Sequence, residues 1–430
     1  MNTYVHVWRS YFFYLLQNFG KMSVSGHFNF YLQIQPIRRC CVRNIRGVTF
    51  ALVMSVALSL LFLEGKPRAD KINFDDHERG RGDSFLIYRP FSTTKKVDRA
   101  VRHVAFLKVH KTGSSTAQNI FLRFGWNHNL TFVLPPAKNP FGYPNIISLR
   151  EGPTSSNVLP PPAGKHHEIL CNHVIYNRTS FRTYLPKNTF YVGILREPYE
   201  CFKSTLNYFR PGYIFLKIKS PAPGSDYLTD PLKYEPESAI SSITNNRMAV
   251  EFGCSENLVK SKNRDQIMKF IKQTEQDFGL VIITEMFEES ILLLKRYLNW
   301  SIKDALYLNK NIAHRKNVSA LVGPYDRELY KQWATIDYAL YDHFYKRLRQ
   351  QIRKEGNDFD EELLHFAEIR RITSEFCSVS GKYKDDKLAV KESKWDEKFE
   401  LAHTDCLLLQ KQEMHFVKEI RVRQYGSEDI

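Results

Sequence analysis

In "VRHVAFLKVHKTGSST", residues 101–116, an apolar run leads into a lysine, one glycine and three hydroxyl residues. Residues of these types in this order can hold an anion. Where a strand turns through a tight loop into a helix, the first helical N–H groups converge, and the helix dipole adds positive potential. Gly113 lets the backbone come close to a ligand. Ser114, Ser115 and Thr116 offer hydroxyl donors, Thr112 completes the loop, and Lys111 sets a point charge beside the bound group. The nucleotide-triphosphate loop G-x-x-x-x-G-K-[ST] is not present. The bland alternative is a helix capped by Ser or Thr beside a surface lysine.

A second anion-binding element is "LREPYECFKSTLNYF", 195–209. Arg196 falls at the carboxyl end of an expected strand, the edge where α/β sheets bind ligands, and Ser204 follows on the next helix. A guanidinium fork and a hydroxyl can grip a phosphate. Alone, an Arg–acid–Pro tripeptide reads better as a salt-bridged strand end. His173, at the end of "HEILCNHVI", is an imidazole suited to proton transfer near neutral pH, and His110 stands adjacent to Lys111. For His173 the rival reading is a buried, hydrogen-bonded histidine.

Together the two elements resemble those of the Golgi carbohydrate sulfotransferases, in order and in their spacing of about 85 residues. The nearest resemblance is to the galactose-3-O-sulfotransferases. It is carried by "FLKVHKTGSST", "ILCNHVIYN", "VIITEMFEESILLLKRYLNW" with "ALYLNKN", and "DYALYDHFYKRL", over roughly residues 101–415. The resemblance implies a donor, 3′-phosphoadenosine 5′-phosphosulfate (PAPS), and a terminal galactose of a glycolipid or glycan as acceptor. It assigns residues 111–116 to the donor's 5′-phosphosulfate and Arg196 and Ser204 to its 3′-phosphate. Lys111 would neutralise the leaving oxygen, His173 would serve as base, and His110 would contact the sulfuryl group or orient Lys111. Glu285 is a weaker alternative base. Asn309 and Arg315 would help hold the nucleotide, and His166 and His167 would belong to the acceptor loop. No metal is expected at the site, and self-association is.

The elements that position these groups alternate between strand and helix. Buried-strand patterns at 101–109, 167–175, 188–198 and 278–285 are separated by helical ones at 114–125, 199–209 and 287–298, with Gly125 expected to stop the first helix. The fold class is α/β, a P-loop-like parallel sheet flanked by helices as in PAPS-dependent sulfotransferases. One long helix is expected from Pro324 to about 354, with the stripe Leu329, Trp333, Ile336, Leu340, Phe344, Leu348 and Ile352. Residues 355–430 read as one or two more helices. The Pro-, Gly- and Ser-rich stretch 135–166 reads as a surface loop.

Residues 47–63 carry no charge and reach the lower limit for a membrane span, while 1–46 hold six Arg or Lys and no acid. The expected organisation is a cytoplasmic tail (1–46), a single transmembrane signal anchor (47–63), a stem (64–100) and a lumenal domain (101–430) in the Golgi. Sequons at Asn129, Asn177, Asn299 and Asn317 all lie on the expected lumenal side. The net charge of +16 fits an anionic donor, and a lumenal domain has no access to nucleic acid. Five lumenal cysteines leave at least one unpaired within the chain. A Golgi glycosyltransferase would share the anchor and sequons but needs a D-x-D metal motif. "DFD" at 358–360 heads a charged helix and reads better as helix-capping acids.

Overall fold

Four short apolar segments form one parallel sheet: β1 (Val104–Phe106), β2 (Ile169–Leu170), β3 (Phe190–Leu195) and β4 (Leu280–Ile283), in the order β2-β1-β3-β4. The computed structural model describes residues 99–308, 321–323, 325–379 and 385–430. All lie in the unit Tyr88–Ile430. The strands are buried almost throughout, as expected of a parallel sheet covered on both faces. The register pairs Val104 with both Ile169 and Phe190, and Val192 with Leu280. Helices Ser114–Asn127, Pro198–Phe209 and Phe287–Leu298 follow β1, β3 and β4.

Three expectations need correction. Gly125 does not stop the first helix, which runs on to Asn127. A Cβ at Gly125 would lie 2.2 Å from the ring of Phe132, so the glycine is there to let that ring pack against the helix. The long helix is two, Asp326–Trp333 and Thr335–Glu355, broken at Ala334. The second is capped from a distance: Asn246 Oδ1 accepts the amides of Ile336 (2.9 Å) and Asp337 (3.0 Å). The apolar stripe divides accordingly. Leu329 and Trp333 pack on a satellite cluster around Phe202 and Tyr330, and Ile336, Leu340, Phe344 and Leu348 enter the main core.

The C-terminal region holds more than helices. Between helices Asn357–Val379 and His403–Gln410 lies an antiparallel hairpin, β5 (Lys387–Val390) with β6 (Phe399–Ala402), and a last helix spans Glu413–Tyr425. The hairpin's strands are only four residues each, with most residues exposed or half-buried, so no apolar run announces them. A disulfide joins Cys377 to Cys406, while Cys171, Cys201 and Cys254 are buried free thiols. Asp358 heads helix Asn357–Val379 and pairs with Arg296 (2.7 Å) and Lys394 (3.0 Å), in keeping with the capping-acid reading of "DFD".

No helix among the described residues is long and apolar enough to cross a membrane. The 47–63 span, the tail before it and the stem to residue 98 lie outside the described residues, as do Asn309, Arg315 and Asn317. Asn129, Asn177 and Asn299 are exposed.

Candidate active site

The loop after β1 is built around two left-handed residues, Lys111 (φ 61°) and Gly113 (φ 75°). This curl turns successive amides toward one side. Gly113 is the N-cap of helix Ser114–Asn127 and supplies no side-chain cap, so the amino end of the helix is open to an anion. Neighbouring strand ends brace the loop. Thr284 Oγ1 donates to Thr112 O (2.6 Å) and lies 2.9 Å from Leu195 O, tying β4, β3 and the loop together. Arg196 Nη1 donates to Lys111 O at 3.2 Å. Arg196 thus lies against the loop although 85 residues separate it from Lys111 in sequence. Ser204 is half-buried on the helix that follows.

The loop's hydroxyls have protein partners. Thr112 Oγ1 (3.0 Å) and Ser114 Oγ (2.6 Å) both donate to Val109 O. Ser115 Oγ donates to Glu413 Oε2 at 2.9 Å. Thr116 closes the first turn through its amide to Gly113 O. Glu413 heads the last helix and also accepts from Lys108 Nζ (3.2 Å) and from Asn145 Nδ2. Burial pushes its carboxyl up, but Lys108 and the hydrogen bonds outweigh that and hold it low. The buried lysine of "FLKVHK" is therefore a strut for the loop, and Lys111 is the lysine on the ligand side. Lys111 Nζ lies 3.7 Å over the ring of Tyr208. Burial, with Arg196 and Lys108 adding to it, holds this ammonium below the ordinary lysine range.

The two histidines meet. His110 and His173 stack with ring centroids 3.8 Å apart and 16° between planes. They are held differently. His110 Nδ1 lies 2.5 Å from Glu251 Oε1, and its amide donates to Glu251 Oε2 (2.8 Å). A carboxylate on Nδ1 fixes the tautomer and leaves the lone pair on Nε2, the arrangement that equips an imidazole to take a proton. Burial alone would raise the Glu251 carboxyl, but His110 and Arg247 hold it at about 2. His173 is buried, and its Nδ1 donates to the Lys108 carbonyl (2.9 Å). Burial first, then its neighbours His110 and Lys108, push it well below the usual histidine range. His173 is thus a neutral neighbour packed against His110.

Glu251 gave no sequence signal beyond its i,i+4 spacing from Arg247, which bonds it at 2.7 Å. It ends a short helix, Arg247–Glu251, whose first amides are accepted by Asp337 (Ala249 N, 2.7 Å). Asn246 and Asp337 therefore cap each other's helices and fix Glu251 under the loop. Burial raises the Asp337 carboxyl to about 7.

The remaining candidates lie elsewhere or are engaged. Glu285 accepts from Glu197 N (3.0 Å) and Tyr341 OH (3.1 Å), so both its oxygens serve structure. His167 is buried beside Tyr184. His166 lies against His103 at the amino edge of the sheet, opposite the loop.

This arrangement is a loop shaped to hold an anion, with a carboxylate-held imidazole beside it, at the carboxyl edge of a parallel sheet. The chain belongs to the galactose-3-O-sulfotransferase family, whose sequence profile matches residues 87–400. That range begins earlier and ends earlier than the 101–415 carried by the motifs. Among individual relatives, mouse galactose-3-O-sulfotransferase 2 is 32% identical over 301 residues, covering 67% of this chain and 73% of the relative. Human galactosylceramide sulfotransferase is 32% identical over 262 residues, covering 60% and 59%. Mouse galactose-3-O-sulfotransferase 3 is 30% identical over 256 residues, covering 59% and 58%. The matched part thus spans less than two thirds of the length of the latter two.

Proposed function

We propose that this protein transfers a sulfuryl group from PAPS to the 3-hydroxyl of a terminal galactose on a glycolipid or glycan. Family membership supports the donor and the sugar. The observation that carries the reading is the open, left-handed loop at Lys111–Gly113, braced by Arg196, with His110 held by Glu251 beside it. The loop amides and Lys111 suit the 5′-phosphosulfate, and Arg196 with Ser204 suits the 3′-phosphate. In the transfer, the galactose oxygen bonds to sulfur as the bond from sulfur to the 5′-phosphate oxygen breaks. His110 Nε2 takes the hydroxyl proton, and Lys111 neutralises charge on the departing oxygen. We assign the base to His110 rather than His173; the carboxylate of Glu251 behind His110 supports that reading.

The uncharged 47–63 segment after a basic tail supports a single-pass anchor with the catalytic domain in the Golgi lumen, and the three exposed sequons agree with that side. Protease protection of the C-terminal domain in sealed microsomes tests this. Digestion of the domain in intact vesicles would reject it.

The activity is tested with the full-length protein and radiolabelled PAPS. Galactosylceramide, lactosylceramide and N-acetyllactosamine are offered, beside Lys111→Ala. Label on galactose that disappears in the variant is the expected result. Donor binding without transfer to any galactoside would overturn the acceptor and leave a sulfotransferase for another sugar.

A further inference from the structure

We propose a zinc-binding site at the amino edge of the sheet, formed by His103, His166 and Glu168, at the opposite edge from the anion loop. His103 precedes β1 and Glu168 precedes β2, two adjacent strands in register. Val104 N bonds Glu168 O at 2.9 Å, so the backbones carrying two of the ligands are fixed to each other. His166 and Glu168 are two apart on an extended segment and project to one side, while the intervening His167 is buried on the other. A nitrogen from each histidine and a carboxylate oxygen lie within 4.8 Å of one another.

The spacing of the nitrogens is the first specific sign. His103 Nε2 and His166 Nε2 face each other at 3.4 Å. Two imidazoles on tetrahedral zinc, with bonds of about 2.0–2.1 Å, hold their nitrogens about 3.3 Å apart. The second sign is independent of it. His103 Nδ1 is 2.8 Å from Asn188 Oδ1, on the turn before β3. An amide oxygen only accepts, so the proton is on Nδ1 and Nε2 presents its lone pair to the ion. Such an outer partner is what orients histidine ligands of metals. Two imidazoles and a carboxylate suit zinc, with water in the fourth position.

Arg102 is the opposing charge, 3.9 Å from Glu168 Oε1. It also donates to His128 O (3.1 Å), so it keeps a partner when Glu168 turns to the ion. Glu168 Oε2 accepts from Thr131 N (2.9 Å), leaving Oε1 for the metal. The ion would pin the end of the 135–166 loop to β1 and leave the transfer chemistry alone. Sequence spacing concealed the cluster because 63 residues separate the two histidines.

The test uses the full-length protein stripped with chelator, then titrated with zinc chloride by calorimetry and thermal melting. One equivalent should bind. With zinc at about 100 times the dissociation constant, the melting temperature should rise by about 3 °C or more. His166 is exposed, so His166→Ala should fold normally, and it should weaken binding at least about tenfold and abolish the rise. His103→Asn should do the same. Cobalt chloride as a spectroscopic stand-in should give bands without thiolate charge transfer. Equal binding by His166→Ala, thiolate bands removed with the free cysteines, or no saturable binding at all would each overturn the site.

Discussion

The imidazoles of His110 and His173 lie face to face, 3.8 Å between centroids, yet only His110 has a carboxylate on its far nitrogen. Two stacked imidazoles cannot both carry a proton at low cost, and the pair is asymmetric by construction. His110→Asn should lower kcat about 10³-fold, and His173→Asn about 10-fold through lost packing. Single-turnover rates at saturating donor check this. The reverse ranking would make His173 the base.

Glu251 acts through His110. Glu251→Gln keeps the shape, loses the charge and permits the wrong tautomer. The expected result is a loss in kcat of about 10²–10⁴-fold with the KM for PAPS nearly unchanged. A rise in KM alone would make Glu251 a purely structural residue.

Lys111 rests over the ring of Tyr208, a residue that is 70% exposed. That contact competes with any phosphate for the ammonium. Tyr208→Ala should tighten binding of adenosine 3′,5′-bisphosphate by about 2–5-fold, the scale of an exposed cation–π contact. Calorimetry on the two proteins measures it. Weaker binding would mean that the ring itself contacts the nucleotide.

Asp337 titrates near 7 in the fold and near ~4 in an unfolded chain. The protonated form therefore favours the fold. Its contribution is complete below about pH 4 and is lost as pH rises through 7. Asp337→Asn should gain on the parent protein between pH 5 and pH 8, by on the order of 3 kcal/mol in denaturant unfolding. A difference that does not change with pH would contradict the assignment.

The Cys377–Cys406 bond closes a loop of 29 residues. Replacing both cysteines by alanine should cost about 3–4 kcal/mol of stability. Melting of the double variant against the parent protein reads it. Unchanged melting would mean that the helices hold each other without the link.

The sheet and the strand–loop–helix at residues 104–127 were legible because each signal is local. A short apolar run, a glycine and a lysine at the right offsets specify strand, turn and helix start within about 25 residues. The supporting acids were not. Glu251 and Glu413 reach the loop from 141 and 298 residues away, and nothing in their own neighbourhoods marks them. The break at Ala334 was hidden for a similar reason, since the cap that creates it is Asn246. The β5–β6 hairpin was missed because strands of four residues, few of them buried, leave no periodic pattern. The sequence also could not show that a carboxylate stands behind His110 and none behind His173.

Ser115 and Lys108 wait on Glu413, the first residue of the last helix, before the loop is braced. Synthesis runs from the amino end, so a growing chain makes its loop nearly 300 residues before the acid that steadies it. Closure over so long a span comes late in folding. Competence to bind the donor should therefore arrive as one of the last events of maturation. A chain cut short before the final helix would keep its sheet and its motifs and still lack a working site.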